Sequence, residues 1–195
     1  MQSEKDKMLS GKPYSPYDKQ LAKDRFKAKE IVFKFNTRSP LEEKEKKQDI
    51  IQLLNKTPKR FYIEPPFRCD YGYNIEIGAN FFSNYNLVIL DCAKVTIGDN
   101  VMLGPNVALY TAAHPIHHSI RNRLYEHALP ITIGNNVWIG GNVVINPGVT
   151  IGDNTVIGSG SVVTKDITSN VVAVGNPCVV KRQITQEDKV YFDIK

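Results

Sequence analysis

Three cysteines in 195 residues, Cys69, Cys92 and Cys178, are too few and too widely spaced for a disulfide framework. Their odd number fits a reducing compartment, and the expected location is the cytoplasm. No apolar run approaches the ~20 residues that a bilayer requires, and no secretory signal opens the chain, so no membrane partner is expected. Basic charge is also missing from most of the sequence. Although the formal net charge is +5, residues 1–60 carry 16 Lys/Arg against 9 Asp/Glu, and residues 61–195 carry 9 against 11. The basic surplus therefore belongs to the N-terminal segment, where it alternates with acids as on a solvated helix. No nucleic-acid motif or aromatic platform accompanies it, so nucleic acid is not an expected partner.

What the chain does have is a repeat. From Ile131 to Asp166 an aliphatic residue returns every sixth position, at Ile133, Ile139, Ile145, Ile151, Ile157 and Val163. Four residues after the first five of these come Val137, Val143, Val149, Thr155 and Ser161, and a glycine directly follows Ile133, Ile139, Ile151 and Ile157. Neither a helical period of 3.6 nor a strand period of 2 accounts for a strict six, and a β-sandwich would meet it only by coincidence. A prism does account for it: one hexad per side, three per coil, the aliphatic residue inward and Gly or Asn at the tight corner. Each coil buries its apolar face only against its neighbours.

Residues 1–60 read as a helical segment, with Leu21, Phe26, Val32 and Phe33 among charges. Ser39-Pro40 is expected to cap a second helix that Thr57-Pro58 stops. Residues 61–182 read as the prism, its first hexads marked by Ile77, Ser83 and Ile89 and then by Ile97, Leu103 and Leu109. The eight-residue step from Ile89 to Ile97 predicts two extra residues bulging from one corner near Asp91–Val95. Residues 110–130 interrupt the repeat with a polar stretch that holds all four histidines. A solenoid can extrude such a loop only at a corner, and a loop of that length is usually functional. Residues 183–195 form a tail, with a short helix expected from Thr185 and Glu187-Asp188.

His114 is the leading candidate for chemistry, because imidazole is the side chain best poised to accept a proton at neutral pH. It stands where the chain leaves the wall and is stiffened by Pro115; the bland alternative is a surface histidine without a role. Glu126, at the far end of the loop, is a candidate to orient it. His117 and His118 orient the loop or, with His114, offer a metal-binding H-x-x-H-H. The metal reading is disfavoured because adjacent histidines do not readily face one ion and none lies inside a hexad, so no metal is expected. Asp and Asn suit the orientation of sugar hydroxyls, and Lys165 and Arg182 suit phosphates, although a solvated lysine is the default. Trp138 could lie against an adenine or a pantetheine arm, or pack within an oligomer.

Asn84 in FFSNYN, Asp91 in ILD, TAAHPIHH, NNVWIGGNVVINPGVTIGDN, GSGSVVTKD, GNPC and the N-terminal GKPY segment together resemble the galactoside/maltose O-acetyltransferase family, over nearly the whole chain. The resemblance implies a mainly β fold, a left-handed parallel β-helix with an N-terminal helical segment. It also implies a homotrimer with sites between subunits, and acetyl transfer from acetyl-CoA to a hydroxyl of a small-molecule acceptor, a sugar or sugar-like compound. His114 then falls on the catalytic histidine. Asn84, Asp70 and Asp91 fall on or beside acceptor-binding positions. Trp138, Gly141, Ser159, Thr164, Lys165 and Arg182 fall on or near CoA-contacting ones. Four positions depart from the family: Pro16 replaces an acid (with Asp18 nearby), Cys92 a second aspartate, Val179 an arginine and Phe82 a tyrosine. These bear on the acceptor. The competing expectations are an acetyltransferase of another acceptor (a xenobiotic, serine or a nucleotide-sugar amine), a zinc enzyme resembling the γ-class carbonic anhydrases, and a non-enzymatic scaffold.

Overall fold

The computed structural model describes residues 2–192. From Phe61 onward the chain winds into a triangular prism with three parallel walls. The first wall stacks Phe61–Ile63, Phe81–Ser83, Met102–Leu103, Trp138–Ile139, Val156–Ile157 and Val171–Val174. The second stacks Phe67–Cys69, Leu87–Leu90, Ala108–Tyr110, Val144–Ile145 and Val162–Val163; the third stacks Ile75–Ile77, Val95–Ile97, Ile131–Ile133 and Thr150–Ile151. Register places like on like: Ile133 pairs with Ile97 and Ile151, and Ile139 with Leu103 and Ile157. All of these inward residues are buried in one continuous core. Cutting one, for example Ile139, to alanine would cost about 2–5 kcal/mol, because a stacked column cannot collapse into the gap.

The corners assign different tasks to asparagine and glycine. Asn80, Asn100, Asn136, Asn154 and Asn170, all at positive φ, stack where the third wall turns into the first. Each amide donates to the next, Asn80 to Asn100 to Asn136 to Asn154 to Asn170, at 2.8–3.0 Å. A second ladder, Asn86 to Asn106 to Asn142, turns the first wall into the second. Asparagine tolerates the left-handed conformation, and its side chain satisfies the neighbouring coil. The glycines that follow the isoleucines are needed for another reason. A Cβ on Gly140 would lie 2.6 Å from the backbone nitrogen of Ser159 in the coil above.

The remaining corner, from the second wall to the third, obeys no fixed length. Eight residues separate Cys69 from Ile77 and Ile89 from Ile97, and twenty-four separate Leu109 from Ile133, where six is the rule. The two residues expected to bulge near Asp91 turn inward instead, and Asp91, Cys92 and Ala93 are all buried. Residues 110–130 form a hairpin, Ala112–Ala113 against His127–Ala128, rather than an unstructured excursion.

The N-terminal segment contains α1 (Glu4–Leu9), α2 (Lys19–Thr37) and α3 (Glu43–Leu53). Ala28, Ile31, Val32 and Phe35 of α2 and Ile50 and Leu53 of α3 join the prism core and close its open end. Asn36 ties α2 to the second wall, donating to the Phe67 carbonyl and accepting from its N–H, both at 2.9 Å. Phe26 and Phe33 occupy the opposite stripe of α2 and are each 69% exposed, so they are not core residues. The second helix begins at Glu43, after a turn at Pro40-Leu41, and Ser39 does not cap it. It ends at Leu53, before Thr57, because Asn55 donates to the Ile75 carbonyl and draws the chain onto the third wall. A separate cluster of Met8, Tyr14, Leu21, Tyr71, Cys92, Ala93 and Ala128 packs α1 and the segment after it against the irregular corner. The prism ends in an antiparallel hairpin between Val171–Val174 and Val179–Gln183, followed by a 3₁₀ turn at Gln186–Phe192. Among the described residues no helix is long and apolar enough to cross a membrane.

Candidate active site

All three expansions of the irregular corner meet at one cavity of about 480 Å³, within the usual range for small-molecule sites. Asp70 and Tyr71 come from the first coil, Leu90 and Cys92 from the second, and Tyr110, Ala112, His114 and Glu126 from the long hairpin. Pro16, Tyr17 and Arg25 complete it from the N-terminal segment. The repeat thus supplies a rigid edge, and departures from it supply the polar lining.

His114 and Glu126 face each other across the hairpin, because the strand pairing of Ala113 with His127 leaves them next in line. His114 Nε2 lies 3.8 Å from Glu126 Oε1, and the imidazole is 55% exposed toward the cavity mouth. The carboxylate is more deeply placed, and its other oxygen accepts a 2.7 Å hydrogen bond from the Tyr14 hydroxyl. Asp70 shares the cavity, its carboxyl pushed up by burial and approached by the Cys92 thiol at 3.6 Å. Arg25 donates to the Tyr71 hydroxyl at 2.7 Å and to the Pro16 carbonyl, so its guanidinium is fixed at the rim. A site with two carboxylates, a guanidinium, an imidazole and phenols offers polar partners in several directions. Those groups suit a ligand rich in hydroxyls.

Asp91 is placed differently from its neighbours. It is fully buried, and its Oδ1 accepts from the N–H groups of Asp70 and Tyr71, both at 2.9 Å. It braces the corner from behind and does not line the cavity. Its Oδ2 has no partner, and burial pushes its pKa to about 7, with Asp70 adding to the effect. Asp18 is committed elsewhere too: its carboxylate caps α2 by accepting from Gln20 and Leu21. Asn84 stands at the other edge of the prism, after the first wall. Its Oδ1 accepts from the Tyr85 N–H, and within one chain it does not reach the His114 cavity.

The residues expected to contact CoA fall into two sets. Trp138, 52% exposed, lies on the outer face of the first wall, with Gly141 and Ser159 at the asparagine-laddered corner beside it. Thr164 and Lys165 are exposed at the upper end of the irregular corner, between Val163 and Ile167. Arg182 sits on the final strand of the first wall, three strands from Trp138, and forks onto Asp188 at 2.7 and 2.8 Å. Phe82 stacks on Tyr62 on the same wall, and Val179 is exposed at its end. Among the described residues no three His, Cys, Asp or Glu side chains converge as a metal site. His117 and His118 stack on each other at 4.8 Å, and His117 bonds Ser119 at the start of α4 (His118–Arg121).

Tyr14, Arg25 and Tyr71 were not legible as site residues. Tyr14 closes the GKPY stretch and Arg25 lies among the charges of α2, far in sequence from the irregular corner, and only the tertiary packing brings them to it.

Residues 7–58 match the maltose acetyltransferase hexapeptide capping motif, and residues 130–165 match the bacterial transferase hexapeptide with its six repeats. The chain is 47% identical to the galactoside O-acetyltransferase of Escherichia coli over 187 residues, 96% of this chain and 92% of that one. It is similar in structure to a maltose O-acetyltransferase from Clostridium difficile 630, with a TM-score of 0.94 and 52% identity, covering 95% of this chain and 99% of that one. A galactoside acetyltransferase in complex with coenzyme A superposes with a TM-score of 0.95 and 46% identity, over 98% and 96% of the two chains.

Proposed function

The chain belongs to the galactoside/maltose O-acetyltransferases, and from that premise we propose that His114 is the general base for acetyl transfer from acetyl-CoA to a sugar-like hydroxyl. The observation that carries this reading is the cavity at the irregular corner, where His114 and Glu126 face Asp70, Arg25 and the phenols. In the reaction His114 takes the hydroxyl proton as the acceptor oxygen attacks the thioester carbon. The tetrahedral oxyanion is held by a backbone N–H of the prism, and its collapse breaks the C–S bond. The thiolate then recovers the proton from His114, which leaves CoA and the acetyl ester. No covalent intermediate on the protein is needed; the thiols of Cys69 and Cys92 are pushed up by burial and nearby carboxylates, the opposite of an activated nucleophile.

A homotrimer completes the site. The first wall presents Tyr62, Phe82, Met102 and Trp138 outward and the second presents Val88, Ala108, Val144 and Val162 above a single charge at Arg68, whereas the third presents Glu76, Thr96, Thr132 and Thr150. Three copies placed so that the irregular corner of each meets the corner between the first two walls of the next bury the second wall around a common axis and the first wall under the neighbour's hairpin, and leave the polar wall in water. Each groove then has His114, Thr164 and Lys165 on one lip. Trp138, Asn84, Gly141, Ser159 and Arg182 line the facing surface of the next copy. Trp138 and Arg182 are separated by three strand spacings, about 14 Å, which an extended CoA can span.

The test is thiol release from acetyl-CoA with galactosides and maltose as acceptors. His114→Ala should lower kcat by roughly 10²–10⁴-fold while the protein stays folded, because a general base contributes that much. Retention of more than half of the wild-type rate would remove His114 from the role.

A further inference from the structure

The hairpin that carries His114 and Glu126 is tied to the rest of the molecule by a residue 112 positions away from Glu126. Tyr14 donates its backbone N–H to the Glu126 carbonyl at 2.9 Å, and Glu126 donates back to the Tyr14 carbonyl at 3.1 Å. The Tyr14 side chain is fully buried and ends on Glu126 Oε2. A buried phenol has one proton to give, and here it goes to a carboxylate, the stronger kind of hydrogen bond. That leaves only Oε1 of the carboxylate to face His114.

We infer that Tyr14 is a positioning residue for acetyl transfer: its hydroxyl holds the Glu126 carboxylate, which in turn orients His114. The inference rests on the proposed role of His114. A glutamate has three rotatable bonds, and without a fixed partner it would sample several rotamers beside an open cavity. The backbone bridge sets where Glu126 starts, and the phenol sets where it ends. This gives the N-terminal segment a part in the chemistry besides covering the prism. Cys92 belongs to the same buried cluster as this phenol, which keeps the hydroxyl on the dry side of the hairpin.

A double-mutant cycle on Tyr14→Phe and Glu126→Ala tests this, with thiol release from acetyl-CoA and the better of galactoside or maltose as acceptor. Tyr14→Phe keeps the ring and its packing and removes only the hydroxyl. It should lower kcat by about 10-fold with the KM for acetyl-CoA unchanged, a modest share of the general-base contribution. In the Glu126→Ala background the same change should have no further effect on kcat, because a residue that acts through another is non-additive with it. Three outcomes would overturn the inference: losses that multiply, a Tyr14→Phe kcat within twofold of wild type, or a variant that loses acetyl-CoA affinity or does not fold. Wild-type protein without acetyl-CoA turnover, or full activity in His114→Ala, would instead refute the proposed function.

Discussion

Replacing Asp91 with asparagine should make the protein more stable at neutral and alkaline pH. The carboxyl is fully buried, with two N–H donors on one oxygen and none on the other. Its pKa rises from 3.8 to about 7, chiefly through desolvation. That rise spans roughly three pH units at about 1.4 kcal/mol each, so the ionised form costs the fold on the order of 4 kcal/mol. Because the folded-state pKa lies above the unfolded one, the favourable contribution is complete below pH 3.8. It is lost progressively as pH rises through 7. Asparagine keeps the accepting oxygen for Asp70 and Tyr71 and cannot ionise. Below pH 3.8 the variant should be the less stable of the two, since the amide buries two unpaired N–H donors where the protonated acid buries one. Between pH 5 and pH 8 the variant should gain about 2–3 kcal/mol on the wild type. For a chain of this size that is about 5–10 °C in melting temperature, read by calorimetry at matched protein concentration. Parallel melting curves across that range, or an asparagine variant less stable at pH 8, would refute the argument that desolvation governs this carboxyl.

Lys165→Ala should raise the KM for acetyl-CoA and leave the acceptor KM unchanged. Asp188→Asn should lower the KM for acetyl-CoA by releasing the Arg182 fork, with added salt weakening both effects in steady-state kinetics. Asn136→Ala removes the middle rung of a ladder and leaves alanine, which lacks asparagine's tolerance of the left-handed region, at φ 56°. A loss of roughly 1–3 kcal/mol in urea unfolding is expected. Phe82→Glu together with Met102→Glu places charge on the outward face of the first wall, and sedimentation should show dissociation of the proposed trimer. A trimer that survives both charges would argue that this wall faces solvent.

The prism was legible because its cause is periodic. An inward side chain every six residues can be counted without knowing the fold, and Ile133 to Val163 supply the count. The site was legible only where the count failed. The break after Leu109 pointed to His114 and Glu126, the step at Ile89 pointed to a bulge near Asp91–Val95, and the family resemblance singled out Asp91 itself. The equivalent step from Cys69 to Ile77 was hidden among aromatic residues, so the contribution of Tyr71 was missed. Asp91 shows the limit of such reading, since a carboxylate beside a site and one behind its wall look alike in sequence. Phe26 and Phe33 illustrate a related limit. Helical spacing gives two stripes on α2, and only the contact with the prism selects the one that carries Ile31 and Phe35.

Two of the prism's three edges are locked, because each asparagine must meet the one above it and a single inserted residue would break the column. All length variation is therefore channelled to the third edge. That edge works as a graft point: segments 70–74, 91–94 and 110–130 could be exchanged as a set without shifting any rung of either ladder. Met8 and Tyr14 close over the same three segments, so the capping segment would have to travel with them. A transplant that carried the loops without their lid would move the candidate acceptor residues and leave behind the Tyr14 hydroxyl that bonds Glu126.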